Sequence, residues 1–517
     1  MTDSRTATDG GIAVRTRDGA EDRLVVDAKF IGFLIFLLFW VLILRAPTLL
    51  VSAVDWDEGL YVLMASQWLN GHPPYTTVLE VKPIGIFAIF AAAMGMLGES
   101  MVSVRLITIA IVYMTSVVLL LIARRLLRSD VAGIVAAISY PALTLGGLQG
   151  LSSNTELFYI FFNVLGLLFL IVSISNPEST RRNALLYALA AGLSFGAAVQ
   201  IKYIVAIEIA LFIAYFLLAH YRSVRYASPV IVMLVVGGAL PSIAAISYLW
   251  MQDALELYLD SNFGTYGRYL AARSSQGTWI ALKHGLEDWI KWSWVAVAAI
   301  TFLRIKARHG PKVAPILPFL FLWLLAGFAE ASVTLRFFKH YYLVTMPPLC
   351  LLLAHASTRF QIAGGNRAIL AFAVVIAIGF PVVRTIQKSY IPWISAYVTQ
   401  GDVNVNVARY IKGQISPQDY IYVVNREPTI YFLTHARPPT RFVFPPFILD
   451  GSYSWIGNVD YPSEVERIFS KTPRAVVMRD GDEENARVND IKERLKHDYV
   501  VATRIADTVV YIRKPLR

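Results

Sequence analysis

Long apolar runs constrain this chain more than any other feature of its sequence. Phe30 to Val51, Val102 to Ala123, Pro229 to Trp250 and Ala368 to Val383 approach the ~20 residues that a helix needs to cross a hydrocarbon core. The composition agrees, at 56% hydrophobic and 16% charged, well below the charge that a soluble chain carries. Met1 to Asp27 is polar and mixed in charge, with no apolar run ahead of a small-residue cleavage site, so no secretory signal peptide is expected. The single cysteine, Cys350, lies inside an apolar run, which excludes an internal disulfide or a cysteine metal site. The net charge of +11 comes from short basic clusters between the apolar runs. Membrane topology places basic residues in this way, and no nucleic-acid partner is expected.

About eleven candidate spans begin near Phe30, Val102, Val131, Leu157, Ala184, Tyr203, Ser228, Trp292, Ala314, Tyr341 and Ala368. Every second loop is basic: Arg124, Arg125 and Arg128, then Arg181 and Arg182, Arg222 and Arg225, Arg304 to Lys312, and Arg359 with Arg367. The positive-inside rule makes those loops cytosolic. Ile84 to Leu97 is short for a crossing and would invert every later loop if counted as one, so an interfacial or re-entrant helix on the outer face is expected. The chain then divides into a cytosolic N-terminal tail (1–28), a membrane domain (29–386) with external loops 54–98, 148–156, 251–290 and 332–340, and an external domain (387–517). In this last segment β-rich runs (Tyr420 to Val424, Ala475 to Met478, Thr508 to Ile512) alternate with helical ones (Glu464 to Ser470, Glu484 to Lys496), which predicts a small α/β domain.

The first external loop reads Asp55-Trp-Asp57-Glu58-Gly-Leu-Tyr61, then Glu80-Val-Lys82-Pro83. Carboxylates beside hydrocarbon are costly unless paired, metal-bound or wet. The cluster therefore reads either as a solvated loop with a helix N-cap at Asp55 or Asp57, or as a base with anion and metal handling. In the second external loop, Asn154 or Thr155 could cap a helix with Glu156 in its first turn; alternatively Glu156 faces the first loop and completes an oxygen-ligand site for a hard divalent ion. Lys202 is external, where few cations are expected, and is either a snorkelling lysine or a phosphate ligand. With Lys82, Arg336 and Lys339 it gives four cations at the outer leaflet, which suits a lipid phosphate. Met251 to Ile290, with Arg268 and Tyr269, fits a binding loop or lid, and Arg105 is expected to be structural. Walker, dinucleotide, His-Glu-x-x-His and nucleophile-elbow motifs are all missing from the sequence, so an ATP-driven pump or zinc protease has no support.

On Asp57-Glu58-x-x-Tyr61, Glu80-x-Lys82-Pro83, Asn154-x-Glu156, Lys202 and the aromatic Arg336 to Tyr342 ahead of Pro347-Pro348, most of the chain resembles the GT-C superfamily of membrane glycosyltransferases. The resemblance points to the bacterial relatives of protein O-mannosyltransferases and of the lipid A aminoarabinose transferase. It implies a polytopic helical fold of about eleven to thirteen membrane helices followed by the small α/β domain. It also implies Asp57 as catalytic base, Glu156 as the acidic residue of the second loop, and Lys82 and Lys202 as ligands of the carrier phosphate.

The candidate site is therefore Asp57, Glu58 and Glu156 for catalysis, and Lys82, Lys202, Arg336, Lys339, His340 and Tyr341 for the donor phosphate. Asp55, Tyr61, Glu80, Arg268 and Tyr269 are the candidates for substrate contact, and Asp57 with Glu156 for a divalent metal, Mg or Mn. The expected activity is inverting transfer of a sugar from a polyprenyl-phosphate donor to a glycolipid, polysaccharide or protein of the cell envelope, at the outer face of the inner (plasma) membrane. The alternative is a transporter or flippase for a polyprenyl carrier. That class calls for ionisable residues inside spans or for inverted repeats, and the sequence reading finds neither.

Overall fold

Each apolar run folds as a helix because a backbone without water must satisfy its own hydrogen bonds. The structure, a computed structural model, describes residues 27–175, 181–220, 224–272, 278–307, 316–416, 418–481 and 484–515. The tail 1–26, Arg222, Arg273, Arg308 and Lys312 lie outside them. In chain order the helices are α1 (Ala28–Arg45), α2 (Trp56–Leu69), α3 (Gly85–Leu97), α4 (Met101–Leu127), α5 (Asp130–Leu143), α6 (Thr155–Ser175), α7 (Arg181–Val199), α8 (Ala206–His220), α9 (Val224–Met251), α10 (Leu255–Leu259), α11 (Tyr266–Ala271), α12 (Thr278–Lys306), α13 (Leu317–Ser332), α14 (Met346–Ile362) and α15 (Arg367–Thr385). Among the described residues, six helices are long and apolar enough to cross a membrane: those starting at Ala28, Met101, Thr155, Arg181, Ala227 and Arg367. Shorter apolar helices, α3 among them, fill the spaces between.

Side-chain caps set the helix starts: Asp27 accepts from Phe30 N, Ser100 from Ser103 N and Asn366 from Ala368 N. Pro347 and Pro348 open α14, where no backbone N–H is needed. The predicted start of that span near Tyr341 is instead a 3-10 turn, Lys339–Thr345. Segment 251–290 is not one loop. It forms α10, a π-turn (Asp260–Thr265) and α11, and its last part is already α12. α12 begins at Thr278, well ahead of its apolar part, through a polar stretch in which Ala281, Leu282, Lys283, Leu286 and Glu287 favour helix. The basic ends of α12 and α14 meet, with Arg304 Nη1 3.2 Å from His355 Nδ1.

The rest of the chain is α16 (Ile391–Gln400), α17 (Val403–Lys412), β1 (Ile421–Val423), α18 (Thr429–Thr434), α19 (Pro446–Leu449), α20 (Gly451–Gly457), α21 (Tyr461–Ser470), β2 (Ala475–Arg479), α22 (Ala486–Asp498), β3 (Tyr499–Ile505) and β4 (Thr508–Arg513). Its sheet has the order β1-β2-β4-β3; β1 and β2 are parallel with Ile421 opposite Ala475, and the other pairs are antiparallel. The three predicted strands are present. β3, half-exposed at the sheet edge and broken by a bulge between Val501 and Thr503, has a weaker apolar pattern. This domain sits on the mouth of the membrane domain. Asp402 caps α17 and also accepts from Ser52 N at 2.7 Å and Ser52 Oγ at 2.8 Å, Leu79 N donates to Arg441 O at 2.8 Å, and Trp56 meets Phe444 edge-on.

Candidate active site

The site is built where α2, the 75–85 loop, the start of α6, the end of α7 and the 3-10 turn before α14 converge. Asp55 is the N-cap of α2: Oδ1 accepts from Glu58 N at 3.0 Å, while Oδ2 accepts from Asn154 Nδ2 at 2.8 Å and so joins the first and second loops. Burial first, then the charges of Asp57 and Glu58, push the Asp55 carboxyl up to about 7. Asn154 is thus spent on Asp55. Arg45, fully buried at the end of α1, pins the same second loop by donating to Gly150 O at 2.7 Å.

Glu58 belongs to the scaffold and not to the reacting centre. Both of its oxygens are occupied, by Ser153 N (3.1 Å), Val54 N (3.1 Å) and Arg105 Nη2 (2.7 Å), and neither side chain of the Glu58–Arg105 ion pair is more than 2% exposed. A buried charge holds only when paired in this way, so the sequence assignment of Glu58 to catalysis is corrected, and Arg105 is structural as expected.

Asp57, one residue before this tether, points the other way. It is partly exposed, has no ion-pair partner among the described residues, and accepts a long bond from Tyr61 Oη at 3.4 Å. Lys82 Nζ lies 5.6 Å from the centre of the Tyr61 ring and 3.1 Å from Glu80 Oε1. Burial works against the Lys82 ammonium, but Glu80, then Tyr61 and Asp57, outweigh it and hold its pKa well above the usual lysine value. Gly85 N donates to Gln200 O at 2.7 Å, and a Cβ at Gly85 would come within 2.4 Å of that carbonyl. This close approach brings the Lys82 loop beside Lys202.

Lys202 turns inward and does not snorkel. It pairs with the fully buried Glu156 and lies 4.1 Å above the Tyr341 ring. Tyr341 Oη is 3.3 Å from Tyr269 Oη, and the Tyr269 ring carries the Arg336 guanidinium at 4.3 Å. Arg336 bonds Tyr453 Oη and Ala272 O and has no carboxylate partner among the described residues. His340 is held by Gln149 at 3.0 Å; burial above all lowers its pKa, although Glu156 and Asp57 oppose this, so the ring is neutral near pH 7. Asp57, Glu156, Lys82 and Lys202 all act electrostatically on that one imidazole.

Two predicted residues lie elsewhere. Lys339 is exposed, because the 3-10 turn sends His340 and Tyr341 inward and Lys339 out. Arg268 donates to Ile456 O at 2.7 Å and to Thr265 Oγ1 at 3.1 Å, which ties α11 to α20 rather than reaching the cleft. Of the two residues read as metal ligands, Glu156 is paired with Lys202, and the described residues contain no group of three ligating side chains. The sequence reading missed Glu208 and Glu330, acids in apolar helices α8 and α13. A lone acid in such a run was the available signal. They lie in the first turn of α8 and the last turn of α13, close to the cleft, so ionisable residues do occur in apolar helices here.

The arrangement is a bundle of apolar helices with acids and lysines near one end, covered by a small α/β domain, and this fold is found in solved structures of other proteins. The chain superposes on ArnT from Cupriavidus metallidurans bound to undecaprenyl phosphate with a TM-score of 0.66 at 14% identity, covering 94% of this chain and 98% of that one. For the apo state of the same protein the TM-score is 0.51 at 12% identity, with the same coverage. Residues 81–250, which include Lys82, Glu156 and Lys202, match the sequence model of the family described as dolichyl-phosphate-mannose-protein mannosyltransferase. No curated protein matches the chain in sequence.

Proposed function

We propose that this protein is an inverting glycosyltransferase that moves a sugar from a polyprenyl-phosphate carrier to a cell-envelope acceptor at the outer face of the inner membrane. This reading is supported by Asp57, which has no ion-pair partner among the described residues and acts with Lys82 and Lys202 on one imidazole, His340, and by the Tyr341–Tyr269 contact that links Lys202 to Arg336. The family match over 81–250 and the fold shared with a protein crystallised with undecaprenyl phosphate support the choice of donor.

Asp57 takes the proton of the acceptor hydroxyl as its oxygen attacks the anomeric carbon. The bond from that carbon to the phosphate oxygen breaks, and the phosphate leaves with one more negative charge. Lys82 and Lys202 are each held by a carboxylate, so their charge is largely balanced. Arg336 brings an uncompensated cation to the growing phosphate charge. Attack from the face opposite the leaving group inverts the anomeric centre. Incubating the purified protein with radiolabelled polyprenyl-phosphate sugars tests the reading. Transfer with inversion is expected, and Asp57→Asn should lose at least about a hundredfold in turnover. Retention of configuration, or an undiminished Asp57→Asn protein, would falsify it. Carrier movement without bond cleavage would establish the transporter reading instead, which the acids Glu208 and Glu330 keep in play.

A further inference from the structure

At the end of the bundle away from the candidate site, α12 and α14 finish side by side. Arg359 stands about 20 Å along α14 from Met346, where that helix begins. Arg304, half-buried on α12, donates from Nη1 to Nδ1 of His355 at 3.2 Å, and the His355 ring is 3% exposed. A guanidinium has only donors, so Nδ1 is the acceptor and the imidazole is neutral. His355 and Arg359 stand at i and i+4 on α14, which puts a second, half-buried guanidinium on the same face. Two arginines thus flank one uncharged ring.

The protein supplies little to balance that charge. Between Asp288 and Asp402 the only acid in the sequence is Glu330, which lies beside Lys202 at the other end. Of the helices packed on α14, α5 brings Asp130 to this end, and Asp130 is 2.7 Å from Arg124; α4, α12, α13 and α15 bring no acid there. A helix C-terminus carries about half a negative charge. Two such ends meet here, against the three cations Arg304, Lys306 and Arg359. Like charges that are partly removed from water are costly without a counterion, so the site calls for an anion. The neighbouring surface sets its source: Phe302, Ile305 and Ile362 are exposed and apolar beside the two arginines. A phosphate that arrives with acyl chains covers both the charge and this apolar surface, whereas free phosphate covers the charge alone. We infer that Arg304 and Arg359 bind the phosphate of an anionic membrane lipid, in the leaflet opposite the candidate active site, with His355 holding Arg304 in position. This lipid site is independent of the transferase chemistry at the other end.

Native mass spectrometry of the full-length protein measures the preference when phosphatidylglycerol and phosphatidylcholine with the same chains are offered in equal amounts. Wild type should favour phosphatidylglycerol about tenfold. Arg304→Gln and Arg359→Gln should each bring the ratio to within about twofold, while retained phosphatidylcholine binding and an unshifted thermal midpoint report folded protein. His355→Phe keeps a ring of similar shape but removes the acceptor, and should lower the ratio by releasing Arg304. Lys306→Gln makes the same change of charge at an exposed neighbour and should leave the ratio near that of wild type. Inorganic phosphate in millimolar excess should not displace the lipid. Equal binding of the two lipids by wild type, an unchanged ratio in Arg304→Gln or His355→Phe, or an equal loss in Lys306→Gln, which would mean a diffuse basic surface, overturns the site. Displacement by inorganic phosphate overturns the lipid as its ligand.

Discussion

At the scale of single residues, neighbours in sequence meet opposite surroundings. The helical turn from Asp55 to Glu58 sends Glu58 into the protein against Arg105 and leaves Asp57 partly exposed, so their different surroundings follow from helical phase. Arg105→Met should cost about 3 to 5 kcal/mol, because it strands a buried carboxylate. Thermal unfolding in detergent would measure this, and Arg105→Met with Glu58→Gln should recover part of the loss. Asp55 makes a second case. Its folded pKa of about 7 lies above the ordinary aspartate value of 3.8, so over the interval between them the unfolded chain gives up a proton that the folded protein keeps, and stability falls as pH rises through it. Asp55→Asn removes that pH dependence. Unfolding at pH 4.5 and pH 8 should show the variant gaining on wild type at the higher pH; a gap that does not move with pH would reject the assignment.

Among elements, the close packing of α7 on α9 depends on glycine. A Cβ on Gly192 would fall 2.3 Å from Leu234 O, one on Gly196 2.4 Å from Gly238 O, and one on Gly237 2.3 Å from Leu189 O. Without a hydrophobic drive inside lipid, such small-residue contacts let backbones approach. Gly192→Leu should therefore destabilise by about 1 to 3 kcal/mol or more through overpacking, read as a lower midpoint of thermal aggregation, whereas Gly379→Leu, with nothing within 4 Å, should be near neutral. The spacing Gly192-x-x-x-Gly196 was visible in the sequence, but its partner helix was not. Helix positions were legible because, among the described residues, the predicted span starts fall in or beside a helix, Tyr341 in the 3-10 turn that precedes α14, whereas the start at Ala314 lies outside the described residues. The long start of α12 was not, because its polar residues match the composition of a loop.

For the molecule as a whole, the C-terminal domain packs against residues of the candidate site. Tyr453 bonds Arg336, Arg441 O receives Leu79 N three residues before Lys82, and a Cβ on Gly59 in α2 would fall 2.5 Å from Thr429 Oγ1 in α18. Asp402→Ala removes both the α17 cap and the link to Ser52. It should cost about 1 to 2 kcal/mol and speed protease cleavage in the 387–402 connector, with turnover falling as the domain loosens over Arg336. Equal cleavage rates for variant and wild type would separate the two functions of Asp402. The sequence determined the apolar helices, the α/β character of 387–517 and the residues rich enough in charge to form a site, because periodicity and the cost of burying charge are local properties. Tertiary structure alone decided that Glu58 and Arg268 are tethers, that Lys339 faces out and that Glu330 reaches the cleft. Whether a side chain is paired or free depends on what residues far away in the chain place against it.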